Sequence, residues 1–376
     1  MAKTVYFKGL TELRGIAAIG VMFNHIELYK SRQGELSLFG VRYLHSFIEQ
    51  LGKNGVYLFF VLSGFLITYL LLEERAKSGT IAVRKFYVRR ILRIWPLYYI
   101  IIGISFFIIP LTLYQPFWIT EFYYQHEIEN LTHGVNLTLC LLFLSNLALI
   151  VFNPVAGAAQ SWSVSVEEQF YIFWPLLVKF FHKHILGFLL IIAILKPLAS
   201  VALAIMLKTP SPGVRIALSF FDGMKFEYMA LGGILAYFIL NKKHLADKIF
   251  YSKKLFLLLL ILLVLSLLVN RYAYLNALLF AFLIGFITSS NFENRFLKKI
   301  GTVSYGVYMY HPIMMYIGFA IAHNFFKNYN VLFTLPVEYL LVFGLTYLVS
   351  SLSYKYIESY FLKFKSKFSI IHSKTN

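Results

Sequence analysis

Long apolar runs recur along almost the whole chain, and most charged residues sit in the short stretches between them. Runs at 9–27, 52–72, 94–113, 167–181, 185–207, 223–240, 255–270, 273–290, 302–324 and 331–353 approach the roughly 20 apolar residues that carry a helix across a bilayer core. No soluble domain has use for that much apolar surface. Of 376 residues, 59% are hydrophobic and only 14% charged, with a mean hydropathy of +0.69. In hydrocarbon a chain must satisfy its own backbone, so the expected fold is all-α, a polytopic transmembrane bundle of about ten spans. A further apolar segment, 137–152, is too short to span and would put the flanking basic loops on opposite faces. It is expected as a re-entrant or half-spanning helix.

The net charge of +18 is distributed as a membrane protein distributes it. Most of the Lys and Arg fall at the N-terminus, in 75–93, 179–183, 242–254 and 295–299, and in the tail from Lys355. The predicted spans place all of these on one side, which the positive-inside rule makes the cytoplasm, with both termini there. The 114–136 loop has no Lys or Arg but has Glu121, Glu127 and Glu129, and is expected outside. No basic stretch forms a separate nucleic-acid domain, so no nucleic-acid partner is expected; the bilayer is. The single Cys140 excludes an internal disulfide. Lys3 and Lys8 precede an apolar stretch without a small-residue cleavage site, which reads as a retained first helix.

Within the first run stand Arg14 and His25. Eleven steps of 100° bring them to within about 20° of one face, roughly 16 Å apart along the axis. Titratable groups at such depth face a cavity, a partner or a substrate path, or are a buried ion pair and an interfacial histidine. Four other segments carry chemistry. Arg89, Arg90 and Arg93 form a cluster at a predicted inner loop, with Arg90 and Arg93 neighbours on a helix surface. Guanidinium forks suit phosphate, and equally anchor a helix on anionic lipid. In 161–175 a serine precedes the adjacent pair Glu167 and Glu168. This pattern is either an N-cap with acidic first-turn residues, or a carboxylate pair for acid–base work or for holding Arg14 or His25. In 301–312, His311 lies inside a span, where it could serve catalysis or simply hydrogen-bond Tyr or backbone groups. In 222–233 the charges could pair with each other, while Gly232 and Gly233 allow close helix packing or close ligand approach. Walker, GxGxxG, HExxH, HxxxD and HxxxxD patterns are missing. His182-Lys183-His184 looks like an interfacial anchor, and no metal is expected.

In order along the chain come Arg14 and His25 with ten residues between them, the run 55–67 ending Ser63-Gly64-Phe65-Leu66, the segment Phe86-Tyr87-Val88-Arg89-Arg90-Ile91-Leu92-Arg93-Ile94-Trp95-Pro96, then 161–175 and 308–312. This set resembles the acyltransferase 3 family of bacterial integral membrane proteins over nearly the whole chain. The resemblance implies an acyltransferase that moves an acyl group, typically acetyl from acetyl-CoA, to hydroxyls of O-antigen lipopolysaccharide, exopolysaccharide, peptidoglycan or glycolipid. It implies a multi-pass protein of the bacterial inner membrane. Residues 1–376 would form a single membrane domain without the fused extracytoplasmic domain of some members, so a separate extracytoplasmic transfer protein is a further expected partner.

The resemblance makes His25 catalytic, as base or transient acyl carrier, with Arg14 holding an acidic partner or stabilising a developing negative charge. Glu167 and Glu168 complete the catalytic candidates. Arg89, Arg90, Arg93, Gly232 and Gly233 are the candidate CoA-side positions, and Trp162, Ser163, Tyr305 and His311 the candidate substrate contacts. A transporter or flippase for polysaccharide or lipid intermediates is the alternative, since multiple spans with intramembrane charges suit that task too. The membrane-bound O-acyltransferases would centre on His311 and leave Arg14 and His25 unexplained.

Overall fold

All ten apolar runs are helical in the computed structural model, which describes residues 4–5, 7–113, 134–152, 154–269, 273–326, 329–368 and 372–373. The order is α1 (Leu10–Arg32), α2 (Arg42–Ser78), α3 (Val83–Gly103), α4 (Gly134–Leu141), α5 (Ser145–Phe152), α6 (Ser161–Phe181), α7 (Ile185–Met206) and α8 (Pro212–Gly223). Then follow α9 (Phe226–Asn241), α10 (Lys243–Phe250), α11 (Lys253–Leu268), α12 (Ala273–Ser289), α13 (Arg295–Thr302), α14 (Ser304–Phe326), α15 (Val331–Ser353) and α16 (Ser359–Lys365). Helix α3 passes through a π-helical turn at Ile104–Ile108 into a last turn, Ile109–Leu113, and a second π-helical turn, Tyr354–Glu358, joins α15 to α16. Among the described residues the only strand pairing is two residues long, Thr4–Val5 with His372–Ser373, so the all-α expectation holds. The expected outer loop 114–136 lies mostly outside the described residues.

Among the described residues, five helical stretches meet the length and apolarity of a span: Leu44–Ser78, Val83–Leu111, Ser161–Met206, Pro212–Asn241 and Val331–Lys365. A pair bent by 70°, Lys243–Phe250 with Lys253–Leu268, makes a sixth if it counts as one. The shortfall has physical causes. Helix α1 carries Glu12, Arg14 and Glu27, α14 is interrupted by Tyr, His and Pro, and α12 has only 17 residues. The stretch Ser161–Met206 is one continuous count of 46 residues, about 69 Å at 1.5 Å per residue, or twice a bilayer core.

Segment 137–152 is two helices of 8 residues each, about 12 Å long and too short to cross. The break falls at Phe143, which has a left-handed φ of 56°, a conformation a bulky residue adopts only when its surroundings enforce it. Here they do. The Phe143 ring stacks 4.3 Å from that of Tyr98, the Gln169 amide donates to the Phe143 carbonyl at 2.9 Å, and the Tyr98 hydroxyl donates to the Cys140 carbonyl at 2.7 Å.

Contacts gather the described chain into two compact units, each made of discontinuous segments. The first takes 1–87, 170–302 and 369–376; the second takes 88–169 and 303–368. The first unit is built on glycine crossings. A Cβ on Gly64 of α2 would collide with the Met229 carbonyl of α9, and one on Gly232 with the Val61 carbonyl of α2. In the same reciprocal way, Gly15 of α1 abuts the Leu297 carbonyl of α13, and Gly301 abuts the Thr11 carbonyl. Without a hydrophobic drive between helices in lipid, such close backbone approach is a main source of association. The second unit packs α14 on α15, with Gly318 against Val342 and Gly306 against Ser350. Gly64→Ala and Gly232→Ala should each destabilise the folded protein by about 1–3 kcal/mol, read as a lowered melting temperature in detergent, whereas Gly344→Ala, with open space around it, should not.

Candidate functional site

Arg14 and His25 lie in the first unit, both half-buried on α1. The helix around them is held firmly. The Asn24 amide donates to the Ile48 carbonyl of α2 at 2.9 Å. Buried Glu27 accepts from the Ser37 hydroxyl at 2.9 Å and from the Leu38 backbone N–H, closing the turn that leads into α2. The charge of Arg32, nearly two turns on, acts on His25. Gly232 and Gly233 belong to the same unit, and both faces are taken up by protein: α2 meets Gly232, while Leu189 and Thr68 meet Gly233. Of the two readings of these glycines, the contacts are those of helix packing. His182 accepts or shares a hydrogen bond with Arg75 at 3.1 Å, and Arg75 also donates to the Lys179 carbonyl.

The remaining candidates lie in the second unit. Arg89 donates to the Phe368 carbonyl at 2.7 Å. The Arg90 guanidinium acts electrostatically on Glu168, and Arg93 does the same to Glu358. Glu168 accepts from the Trp95 indole N–H at 3.1 Å through one oxygen. Its other oxygen, and one of Glu358, are buried with no hydrogen-bond partner among the described residues. Tyr305 is anchored by donation to the Ile94 carbonyl at 2.8 Å and feels the charge of both carboxylates. Two arginines, two buried carboxylates and a tyrosine thus form one polar cluster inside an otherwise apolar unit. Sequence reasoning missed Glu358 as a member. Its signal was a lone acid among the apolar neighbours Tyr354, Ile357 and Phe361, at spacings that put them on one helical face.

The N-cap reading of 161–175 is overturned. Helix α6 begins at Ser161 itself, so Glu167 and Glu168 fall in its second turn, with no acidic residue in the first. The two point differently, since 100° of rotation leaves Glu167 half-exposed and buries Glu168 to 8% exposure, while the charge of Glu167 still acts on Glu168. Trp162, in the first turn, is half-buried. Ser163 shares a 2.7 Å hydrogen bond with the Tyr308 hydroxyl. His311 is buried and its Nδ1 lies 2.7 Å from the Tyr308 carbonyl. That carbonyl is the one a proline at 312 deprives of its helical N–H partner, so His311 supplies the missing donor. Its Nε2 is then the acceptor face of the ring. Among the described residues, no three His, Cys, Asp or Glu side chains group as metal ligands.

The family profile described as an Acyltransferase domain matches residues 7–355. The chain belongs to the acyltransferase 3 family. It is 27% identical over 395 residues to O-acetyltransferase OatA of Staphylococcus aureus (strain NCTC 8325 / PS 47), covering 94% of this chain and 57% of the relative. It is 24% identical over 338 residues to Peptidoglycan O-acetyltransferase OatA of Listeria monocytogenes, covering 82% and 49%. The chain thus spans about half the length of the curated relatives it matches. No solved structure matches it.

If His311 serves the proline break, His311→Ala should leave the Tyr308 carbonyl unsatisfied and lower stability by about 1–3 kcal/mol in thermal unfolding, and His311→Asn should recover part of the loss.

Proposed function

We propose that this membrane acyltransferase is an O-acyltransferase that moves an acyl group, acetyl foremost, from acyl-CoA to a hydroxyl of a cell-envelope carbohydrate. The observation that supports this most is the family match across residues 7–355, which includes every candidate read from the sequence, though not Glu358. Among acceptors, peptidoglycan is favoured by the similarity to the Listeria peptidoglycan O-acetyltransferase, ahead of O-antigen, exopolysaccharide or glycolipid. The protein works in the bacterial inner membrane with both termini cytoplasmic. Its ten apolar helices cross it about ten times, with α6 and α7 as two crossings and α4–α5 re-entrant.

His25 accepts the proton of the acceptor hydroxyl as that oxygen attacks the thioester carbonyl carbon. A C–O bond forms, the C–S bond breaks, and the CoA sulfur leaves with the proton returned from the imidazolium. In the stepwise variant the imidazole itself takes the acyl group first and passes it to the hydroxyl. Arg14, on the same face of α1, offers a fixed positive charge to the oxygen that becomes negative. In apolar surroundings that contribution exceeds its value in water. Arg89, Arg90 and Arg93 receive the phosphates of CoA. Each guanidinium has five donors, so one can face a carboxylate or a carbonyl while others remain for phosphate. Glu168 and Glu358 hold Arg90 and Arg93 in place. Trp162, Ser163 and Tyr305 are left as substrate-side contacts.

With purified protein, labelled acetyl-CoA and a glycan acceptor, His25→Ala should lower transfer about 10²–10⁴-fold, the range of a lost general base, with the melting temperature unchanged. Transfer at the wild-type rate by that variant would refute the role of His25. Turnover by neither protein would shift the reading to a flippase. Arg90→Ala with Arg93→Ala should raise KM for acetyl-CoA more than it lowers kcat, and an unchanged KM would return the cluster to lipid anchoring.

A further inference from the structure

The charged segment 222–227 has no part in the mechanism above, yet it is organised. Lys196 of α7 reaches the Glu227 carboxylate at 2.9 Å and the Asp222 carbonyl at 3.1 Å, and Lys225 donates to the Asp222 carboxylate at 2.9 Å. The Lys196 and Glu227 side chains are 11% and 5% exposed, while that of Asp222 is 60% exposed. A buried pair adds little net stability against apolar residues of the same size, so stability alone is a weak reason for it. Beside it stands Tyr274 of α12. Its hydroxyl donates at 2.7 Å to the carbonyl of Ala193, the one left without a helical partner by Pro197. The Tyr228 ring lies 6.4 Å from that of Tyr274, and Tyr57 4.5 Å from Tyr228.

Asp222, Lys225, Glu227, Tyr228 and Tyr274 line an open cleft of about 330 Å³ together with Pro197, Val201 and Leu275, at the small end of ligand pockets. Its charges cancel in pairs, which disfavours a phosphate or another ion. Aromatic walls beside stiffly held carboxylate and ammonium groups suit the CH face and hydroxyls of a neutral polyhydroxylated ring. The cleft also sits at one end of its unit. Helix α7 leads away from Lys179 and Lys183 towards it, while α9 and α12 lead away from it towards Lys242 and Arg295. The basic stretches 179–183, 242–254 and 295–299 lie opposite and outnumber Lys196, Lys208, Arg215 and Lys225 on the cleft's side, which by the positive-inside rule favours the outer face for the cleft. It belongs to the same unit as Arg14 and His25.

We propose that this cleft is a glycan subsite that holds one sugar unit of the acceptor; its role as an acceptor site rests on the acyltransferase reading, but its occupancy does not. The test is calorimetric titration of an N-acetylglucosamine tetramer into the full chain in nanodiscs. Wild type should bind. Asp222→Asn, isosteric and exposed, and Val201→Trp, which fills the cleft from a 58% exposed position, should each weaken binding at least tenfold and leave acetyl-CoA affinity unchanged. His25→Ala should bind the tetramer as wild type does. Wild type that does not bind the tetramer, or Val201→Trp that binds it undiminished, overturns the subsite. Cleft-dependent binding by a wild type that transfers no acetyl group keeps the subsite and removes the acyltransferase reading.

Discussion

A polar group in hydrocarbon has no water to fall back on, and many in this chain are met by another part of the chain. That constraint explains side chains which otherwise look out of place. Prolines inside α7 and α14 each orphan a backbone carbonyl; Tyr274 answers one and His311 the other. Trp95 is spent on Glu168, Trp174 on Thr68 and Gln160 on the Met309 carbonyl. The aromatic content, 18% of the chain, thus includes hydroxyl and indole donors on apolar bodies as well as plain bulk.

The second constraint is distance between backbones. Gly64 with Gly232, and Gly15 with Gly301, let helices of the first unit approach until a methyl group would strike a carbonyl. Rigid crossings of this kind fix the helix that carries Arg14 and His25. In the second unit the arginine–carboxylate cluster is fixed differently, by Tyr305 on the Ile94 carbonyl and by the Tyr98, Phe143 and Gln169 contacts that hold the strained turn. Buried charge in such a setting is costly unless compensated, so Arg90 facing Glu168 and Arg93 facing Glu358 is what a stable, preorganised polar site requires.

Helix placement was legible because apolar runs depend only on local composition. Each of the ten became a helix, and the shortness of 137–152 already signalled a segment that could not cross. What could not be read were contacts decided by tertiary partners. The phase of Glu167 and Glu168 depended on where α6 begins, and serine placement alone suggested a start too late. Gly232 and Gly233 fitted a ligand or a helix equally well until α2 was seen against them. Glu358 joined the site from far along the chain, and no spacing rule links it to Arg93. The Arg14–His25 pair was the reverse case: one helix holds both, so periodicity alone set their common face.

If CoA meets the arginine cluster at the basic face and the glycan meets the outer cleft, donor and acceptor reach the protein from opposite sides of the membrane. Proteoliposomes of known orientation test it directly, with labelled acetyl-CoA sealed on one side and the glycan supplied on the other. The account predicts transfer only when acetyl-CoA is on the side of the basic 242–254 loop and the glycan opposite. Equal transfer with donor and acceptor on the same side, or with the sides exchanged, would contradict it.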